Sequence, residues 1–317
     1  MKENLRIVFM GTPDFAAHFL EFLHLSKHEI LAVVTQPDRP FGRGKVLTAP
    51  PVKKLALELG YPVLQPTDLK DLGFINQLKA LEADVFVVVA FSILPSALLS
   101  VSKQGAINIH GSLLPKYRGA APVQWAIANG ESKTGVTVFL LDQKMDHGPI
   151  LEQREVYIDM EDTTASVLQK MIEPASEALE AALETIRLGA SEISPQNHQD
   201  ASAAPKLKKE DGLLDFNKTA LDLHNQIRAF DPWPGAFSSL LTKKVYLRKT
   251  KVAPEAANSL PKILKPAEIL ILEDRFLVGT FEGVLEVLEI QVEGRKAMPV
   301  SQYIHGLQQK EALYFEF

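Results

Sequence analysis

Asn108 and His110 stand two residues apart at the end of an apolar segment that begins at Gly105. Because successive side chains of a β-strand point to opposite faces of the sheet, this spacing places the amide and the imidazole on one face. An amide N–H can stabilise a developing oxyanion, and an imidazole can carry a proton. The pair is therefore a candidate active site at the carboxyl end of a strand, where ligands bind in open α/β sheets. An isolated Asn-x-His is more often a buried, hydrogen-bonded histidine beside an asparagine that makes a turn.

The residues that follow the pair extend the pattern. The segment from Asn108 to Trp125 reads Asn-Ile-His-Gly-Ser-Leu-Leu-Pro-Lys-Tyr-Arg-Gly-Ala-Ala-Pro-Val-Gln-Trp, and a later segment, 135–149, carries Asp146. Both segments resemble the signature of the folate-dependent formyltransferases, in which one strand ends in Asn-x-His-x-Ser-Leu-Leu-Pro and a later strand and loop end in an aspartate. The resemblance extends along the chain from Arg6 to Met298.

The resemblance implies a reaction and a role for each of three residues. Formyl transfer is acyl transfer: an amine attacks a formyl carbon, and the tetrahedral intermediate carries an oxyanion and a protonated nitrogen. At the positions that match the family, Asn108 supplies the oxyanion donor, His110 donates to that oxygen or moves the proton, and Asp146 is the partner of His110. The chain contains no cysteine, which agrees with a reaction that needs no covalent nucleophile.

The formyl donor implied by the resemblance is 10-formyltetrahydrofolate. The family binds folate at the Ser-Leu-Leu-Pro segment. A second, apolar segment at residues 91–95 follows a predicted strand. In that segment Phe-Ser-Ile-Leu-Pro replaces the longer Tyr-Gly-x-Ile-Leu-Pro that is usual in the family. We expect folate contacts at these two segments: Ser112, Leu113, Leu114, Pro115, Phe91, Ile93 and Leu94. No histidine pair has the spacing of metal ligands with acids nearby, so we expect no metal.

Basic residues are concentrated in a few places, although the net charge of the chain is −5. The loop 37–45 is rich in proline and glycine, and residues 239–265 include seven Lys/Arg and one acid, Glu255. Such a surface can dock a polyanion, but lysine-protected edge strands and ordinary surface loops have a similar composition. The resemblance implies that the loop with Arg39, Arg43 and Lys45 contacts the acceptor arm of methionyl-tRNA. The charge pattern adds further expected tRNA contacts at Lys206, Lys208, Lys209, Lys243, Lys244, Arg248 and Lys249.

The elements that must position these residues follow from hydrophobic periodicity. Apolar, β-rich runs at 5–10, 30–35, 84–91, 105–110 and 135–141 alternate with helical patterns, which predicts an α/β domain with a Rossmann-like, doubly wound parallel sheet. A helix over 163–188 closes this domain. After a polar segment come a helix at 219–230 and short strands at 236–247, 268–272, 275–280 and 284–291, which indicate a small β-rich domain.

The domain division combines this pattern with the resemblance. The family's C-terminal domain resembles a small OB-type β-barrel, which agrees with the short strands. We therefore expect a formyltransferase catalytic domain at 1–189, a linker at 190–211 and an OB-like, tRNA-binding domain at 212–317.

Composition limits the class of protein. With 317 residues, 46% of them hydrophobic and 23% charged, the chain is typical of a soluble globular protein. The longest apolar run, 85–94, is shorter than the roughly 20 residues that span a bilayer, and the first residues show no secretory signal. The lack of cysteine suits a reducing compartment. We expect a cytoplasmic monomer without membrane contacts.

The sequence thus favours transfer of a formyl group from 10-formyltetrahydrofolate to the α-amino group of methionyl-tRNA, for translation initiation. The same three residues also fit a formyltransferase whose acceptor is a small amine, or one that uses water. A non-catalytic RNA-binding protein on this scaffold is a further alternative, and it would be expected to lack one of the three. The basic loop and the basic β-rich domain favour tRNA, because a small acceptor needs neither.

Overall fold

The computed structural model describes residues 4–41, 44, 46–189, 193–253, 260–261, 263–308 and 313–316. The chain forms two compact units. The first comprises Met1–Pro122, Thr134–Tyr157 and Leu168–Ala204, and the second comprises Val123–Lys133, Ile158–Val167 and Pro205–Phe317. The predicted boundaries at 189 and 211 stay a prediction, and the segment expected to be a linker is divided between the units after Ala204.

The elements up to residue 188 follow the predicted alternation of strands and helices. In chain order they are β1 (Arg6–Gly11), α1 (Asp14–His24), β2 (Glu29–Val34), β3 (Arg39–Phe41), β4 (Val46–Thr48), α2 (Pro51–Glu58), β5 (Val63–Leu64), α3 (Leu72–Ala80), β6 (Val85–Val89), α4 (Ser96–Leu99), β7 (Ala106–His110), α5 (Pro122–Ala128), β8 (Lys133–Leu140), β9 (Ile150–Tyr157) and α6 (Thr164–Leu188).

Later elements are mostly strands. After 3₁₀ turns at His198–Asp200 and Lys209–Gly212 come α7 (Ala220–Phe230), β10 (Ala236–Leu240), β11 (Lys243–Val252), β12 (Glu268–Leu272), β13 (Arg275–Gly279), β14 (Val284–Val292), β15 (Met298–Pro299), α8 (Val300–His305) and β16 (Leu313–Tyr314). Among the helices of the described ranges, none combines the length and the apolar character that crossing a membrane requires.

The first unit is built on a sheet with the strand order β5-β2-β1-β6-β7-β8-β9. Strands β5, β2, β1, β6 and β7 pair in parallel, which confirms the predicted doubly wound α/β class. β8 differs, because it pairs with β7 in the antiparallel sense. The apolar pattern of a strand is the same in either direction, so periodicity identified the strand and left its direction undetermined.

Local sequence explains why the central strands and the first helix form where they do. All five residues of β6, Val-Phe-Val-Val-Val, are buried, as expected for a parallel strand covered on both faces. In α1, Ala16, Phe19, Leu20 and Leu23 are buried at the i, i+3, i+4 and i+7 positions that form one face of a helix. The packing of these buried elements holds the ends of β6 and β7 in fixed positions.

The second unit is an antiparallel sheet that nearly closes into a barrel. Its strand order is β10-β11-β14-β13-β12-β16. Ser239 of β10 bridges to Glu316, two residues beyond β16, and thereby brings the two ends of the sheet together. This arrangement confirms the predicted small β-barrel. The single strand expected over 236–247 is a hairpin whose turn residues, Leu241 and Thr242, both have positive φ, a conformation that their residue types do not signal.

Gly279 of β13 tests how closely the barrel is packed. A Cβ at this position would lie 2.2 Å from the Lys265 carbonyl oxygen and 2.7 Å from the Leu264 Cβ. We expect Gly279→Ala to lower the free energy of unfolding by about 1–3 kcal/mol in urea denaturation. Gly306→Ala is the matched control, because its nearest atom would be 3.5 Å away. A loss of equal size in both variants would contradict the packing argument.

Candidate active site

Asn108 lies in the middle of β7, between Val88 of β6 and Phe139 of β8. It lines a cavity of about 100 Å³ together with Asp146. The predicted folate contacts Phe91, Ile93 and Leu94 line the same cavity. Within the described residues, no group hydrogen-bonds the Asn108 side-chain amide, so its N–H donors are available to a ligand in this cavity.

His110 is 6% exposed and has a fixed orientation. Its Nε2 lies 2.9 Å from the carbonyl oxygen of Tyr117, and its ring meets Phe139 edge to face. A carbonyl oxygen only accepts hydrogen bonds, so Nε2 carries a hydrogen and donates it. In the neutral ring Nδ1 therefore has a free lone pair. That atom faces Asp146 Oδ2 at 3.8 Å, so a proton taken up at Nδ1 would be stabilised by the carboxylate.

Asp146 is held in an uncommon backbone conformation with φ of 50°. Left-handed φ values are rare for residues other than glycine, although aspartate tolerates them better than most. The Oδ2 atom accepts a hydrogen bond of 2.7 Å from the backbone N–H of Gly119. The same oxygen faces His110. The hydrogen bond from Gly119 therefore helps to fix the position of the carboxylate charge relative to the imidazole.

The Ser112–Pro115 segment holds the end of β7 in place and is absent from the residues that line the cavity in the described part of the chain. Ser112 Oγ donates to the Lys116 carbonyl oxygen at 2.7 Å. Thr137 Oγ1 donates to the Ser112 carbonyl oxygen at 2.6 Å and accepts from the Leu114 N–H at 3.0 Å. Contacts between this segment, including Leu113, and folate stay a prediction.

A second set of polar side chains surrounds the turn that carries Asp146. His147 Nδ1 lies 2.6 Å from Asp142 Oδ2, and its ring stacks on that of His198 with centroids 3.9 Å apart. Desolvation lowers the pKa of His198, and the neighbouring His147 and Arg118 lower it further. His198 is therefore neutral at neutral pH, and its Nδ1 can accept the 2.8 Å hydrogen bond from Arg118 Nη2.

Of the basic residues predicted in the first unit, the structure describes Arg39, the first residue of β3. Arg39 is exposed, and its Nη2 donates to Gln36 Oε1 at 3.0 Å. Gln36 in turn donates to Ser92 Oγ at 2.9 Å, and Ser92 lines the cavity that contains Asn108. Arg39 is thereby connected to the rim of the cavity. Arg43 and Lys45 lie outside the described residues.

The second unit carries the remaining basic candidates. Lys206, Lys208, Lys209 and Lys243 are exposed. On β11, Lys244 Nζ lies 3.3 Å from the ring centroid of Phe237, and Arg248 Nη1 lies 2.8 Å from Asp231 Oδ1. A cavity of about 590 Å³ in this unit is lined by four basic side chains, those of Arg228, Arg248, Lys249 and Lys296, and by three acidic ones, those of Glu161, Asp231 and Glu289.

Several residues of the first unit that shape the site were missed by sequence reasoning. Tyr117 supplies a carbonyl oxygen and Gly119 an N–H, and backbone groups of this kind leave no trace in residue type. Gln196 hydrogen-bonds the backbone at Asp146, 50 residues away, from within the segment that was expected to be a linker. No periodicity or motif joins these positions, because they meet only in the folded chain.

Comparisons with known proteins identify the family to which the chain belongs. The family model described as formyl transferase matches residues 5–183, and the model described as formyl transferase, C-terminal domain, matches residues 206–308. The methionyl-tRNA formyltransferase of Desulfotalea psychrophila is 42% identical over 306 residues, which cover 96% of this chain and 94% of that protein. That of Clostridioides difficile is 43% identical over 303 residues, with 95% and 97% covered. The chain belongs to the methionyl-tRNA formyltransferase family.

Solved structures show the same fold at much lower identity. An N-formyltransferase from Helicobacter canadensis, in complex with folinic acid and dTDP-3-aminofucose, is 19% identical with a TM-score of 0.67, and the match covers 89% of this chain and 98% of that chain. HypX from Aquifex aeolicus in complex with tetrahydrofolic acid is 19% identical with a TM-score of 0.62, over 95% of this chain and 47% of that chain. The chain thus spans about half the length of HypX.

Thr137 provides a test of how the Ser112–Pro115 segment is held. Thr137→Val removes a buried hydroxyl that also accepts a 2.8 Å bond from Gln153, so it leaves buried groups without partners. We expect the free energy of unfolding to fall by about 1–3 kcal/mol. Thr134→Val is the matched control in the same strand, because the buried Thr134 hydroxyl has no partner within the described residues. A destabilised control with an unchanged Thr137→Val protein would contradict this assignment.

Proposed function

We propose that the protein transfers the formyl group of 10-formyltetrahydrofolate to the α-amino group of methionyl-tRNA. The observation that carries the proposal is that Asp146 lines one cavity with Asn108, whose amide can donate, and places its carboxylate 3.8 Å from His110 Nδ1. Acyl transfer to an amine can use an oxyanion donor, a group that moves a proton and a charge that stabilises this group. The relatives' names, at 42–43% identity over nearly the whole chain, support methionyl-tRNA as the acceptor.

The types of residue that line the cavity fit a folate donor. Phe91, Ile93 and Leu94 offer apolar walls, and Asn108 and Asp146 offer polar groups at one end, as in sites for flat heteroaromatic ligands. The cavity of about 100 Å³ is smaller than the roughly 300–1,000 Å³ of ligand pockets. Two largely exposed side chains on its wall, Ile93 and Met145, are free to move, and we propose that their movement enlarges the cavity for the donor.

Each of the three residues performs a separate task in the proposed reaction. The donor supplies the formyl carbon, and the Asn108 N–H stabilises the charge that develops on the formyl oxygen. His110 takes a proton from the attacking amine at Nδ1 and releases it to the leaving nitrogen, while its Nε2–H bond to Tyr117 fixes the ring. Asp146 stabilises the imidazolium that forms between these two proton transfers.

The second unit supports an acceptor that is a polyanion. We propose that its exposed lysines and the basic cavity beside β11 bind the acceptor arm of the tRNA, together with the basic loop of the first unit. A small amine has no phosphates for these cations to neutralise. We further propose that the protein works as a monomer in the cytoplasm, where charged tRNA is used in translation.

The deciding experiment offers the protein 10-formyltetrahydrofolate with charged initiator tRNA, with an amino-sugar nucleotide, with glycinamide ribonucleotide, or with no amine. We expect formyl-methionyl-tRNA as the product, measured by acid precipitation of labelled tRNA and chromatography of the released amino acid. Formylation of a small amine without formylation of tRNA would overturn the proposed acceptor. Release of formate alone would identify water as the acceptor.

Loss of the amide or the carboxylate should abolish most turnover. We expect Asn108→Ala to lower kcat on the order of 10²–10³-fold, because one oxyanion donor is lost. Asp146→Asn should lower kcat at least as much, because the imidazolium loses its counter-charge. Asp200→Asn is the control, since the exposed Asp200 carboxylate accepts a hydrogen bond from the Asn197 side chain and, within the described residues, makes no other side-chain hydrogen bond or ion pair. Normal turnover by a folded Asp146→Asn protein would contradict the assignment.

Arg43 separates a tRNA acceptor from a small amine. Each phosphate contact makes log K fall with log salt by about 0.7–0.9, so Arg43→Ala should weaken tRNA binding and reduce that slope by up to about one. If the guanidinium reads a base edge, the loss would be about 1–3 kcal/mol and would depend on the acceptor-stem sequence. Folate affinity should not change.

The control for this experiment is Lys79→Ala, which removes an equal charge at an exposed position of α3 outside the basic candidates. Filter binding over a series of salt concentrations measures both variants. An Arg43→Ala protein that binds and formylates methionyl-tRNA like the wild type at every salt concentration would exclude the loop from the mechanism.

A further inference from the structure

Gln196 is a buried side chain behind the turn that carries Asp146, and it is only 5% exposed. Its Nε2 donates to two backbone carbonyl oxygens of that turn, at 3.0 Å to Asp146 and at 2.7 Å to Gly148. A single amide group thus bridges both ends of a three-residue turn. These bonds stabilise the turn, because a buried carbonyl oxygen without a donor would lose its hydrogen bonds to water and gain no others.

The orientation of the Gln196 amide is set by Arg118. The Nε and Nη2 atoms of Arg118 lie 3.2 Å and 2.5 Å from Gln196 Oε1. A guanidinium only donates hydrogen bonds, so it selects the orientation in which the amide oxygen faces Arg118 and the NH₂ group faces the turn. The next residue, Gly119, donates its N–H to the Asp146 carboxylate. Arg118 therefore orients the amide that binds the Asp146 backbone, and Gly119 binds the Asp146 carboxylate.

The turn has little freedom to hold Asp146 in another way. Asp146 has a φ of 50°, which the surrounding structure must support. Gly148 is packed so closely that a Cβ there would lie 1.8 Å from the Leu140 carbonyl oxygen. The two bonds from Gln196 stabilise this strained segment through its backbone carbonyl oxygens.

We propose that Gln196 is a positioning residue for formyl transfer, whose side-chain amide holds the 146–148 turn so that the Asp146 carboxylate stays in place opposite His110 Nδ1. The proposal rests on the function proposed above. Catalytic groups are sensitive to such support, since a displacement of about 1 Å can cost about 10²-fold in rate. Gln196 itself lies outside the residues that line the described cavity, so it acts through Asp146 and not on the substrate.

Gln196→Glu tests the proposal with almost no change in shape. The new carboxylate can still pair with Arg118, but it offers no N–H to the two carbonyl oxygens and faces them with negative charge. We expect kcat for methionyl-tRNA formylation to fall about 10–10²-fold while KM for methionyl-tRNA changes less than about twofold. Gln199→Glu is the matched control: it makes the same change of charge at an exposed position three residues away, and kcat should stay at the wild-type value.

A double-mutant cycle separates positioning from a general structural role. In an Asp146→Ala background there is no carboxylate to position, so adding Gln196→Glu should lower the residual kcat by less than about twofold. A structural role would produce the same loss in both backgrounds, and such additivity would overturn the proposal. Equal kcat for Gln196→Glu and the wild type would also overturn it.

If Gln196→Glu fails to fold, Arg118→Gln decides in its place, because it removes both guanidinium donors to Oε1. We expect a kcat about tenfold lower than that of the wild type, and an unchanged kcat would overturn the proposal. The activity of the wild-type protein distinguishes a failure of the proposed function from a failure of the positioning role of Gln196. A wild-type protein that does not formylate methionyl-tRNA refutes the proposed function and with it this inference. An active wild type with fully active variants refutes the positioning role alone.

Discussion

The approach of the Asp146 carboxylate to His110 Nδ1, at 3.8 Å, is the interaction on which the candidate site of the first unit depends. Both groups are largely buried, and a buried carboxylate is tolerated only when hydrogen bonds replace its water. The N–H of Gly119 supplies one such bond, and the Tyr117 carbonyl fixes the imidazole from the other side. The imidazole can therefore gain and lose a proton without rotating.

Rigid elements and irregular loops have different tasks around this pair. β7 is hydrogen-bonded on both sides, to β6 and β8, so Asn108 and His110 have little freedom to move. Asp146, in contrast, comes from a loop and needs support from other segments of the first unit. The Ser202 carbonyl oxygen accepts the Arg118 N–H, and the Arg118 carbonyl oxygen accepts the Ala204 N–H, so the chain at 202–204 is hydrogen-bonded beside Gly119, which binds the Asp146 carboxylate.

Prediction from the sequence succeeded where the signal is local. The five-residue apolar run of β6 and the spacing of Asn108 and His110 each depend on neighbours in sequence, and the structure contains both features. The antiparallel direction of β8 was not predictable, because an apolar run predicts a buried strand in either direction. The hairpin at Leu241 and Thr242 was missed, since neither residue is typical of a turn with positive φ.

The sequence by itself determined which groups are present and on which face of one strand two of them lie, because residue type and strand periodicity are local properties. It also determined the family, since the chain is 42–43% identical to methionyl-tRNA formyltransferases over nearly its whole length. Only the tertiary structure decided how close the carboxylate comes to His110 and that Gln196 holds the turn from 50 residues away. Distances between remote segments arise from packing of the whole unit, and no local pattern of residues encodes them.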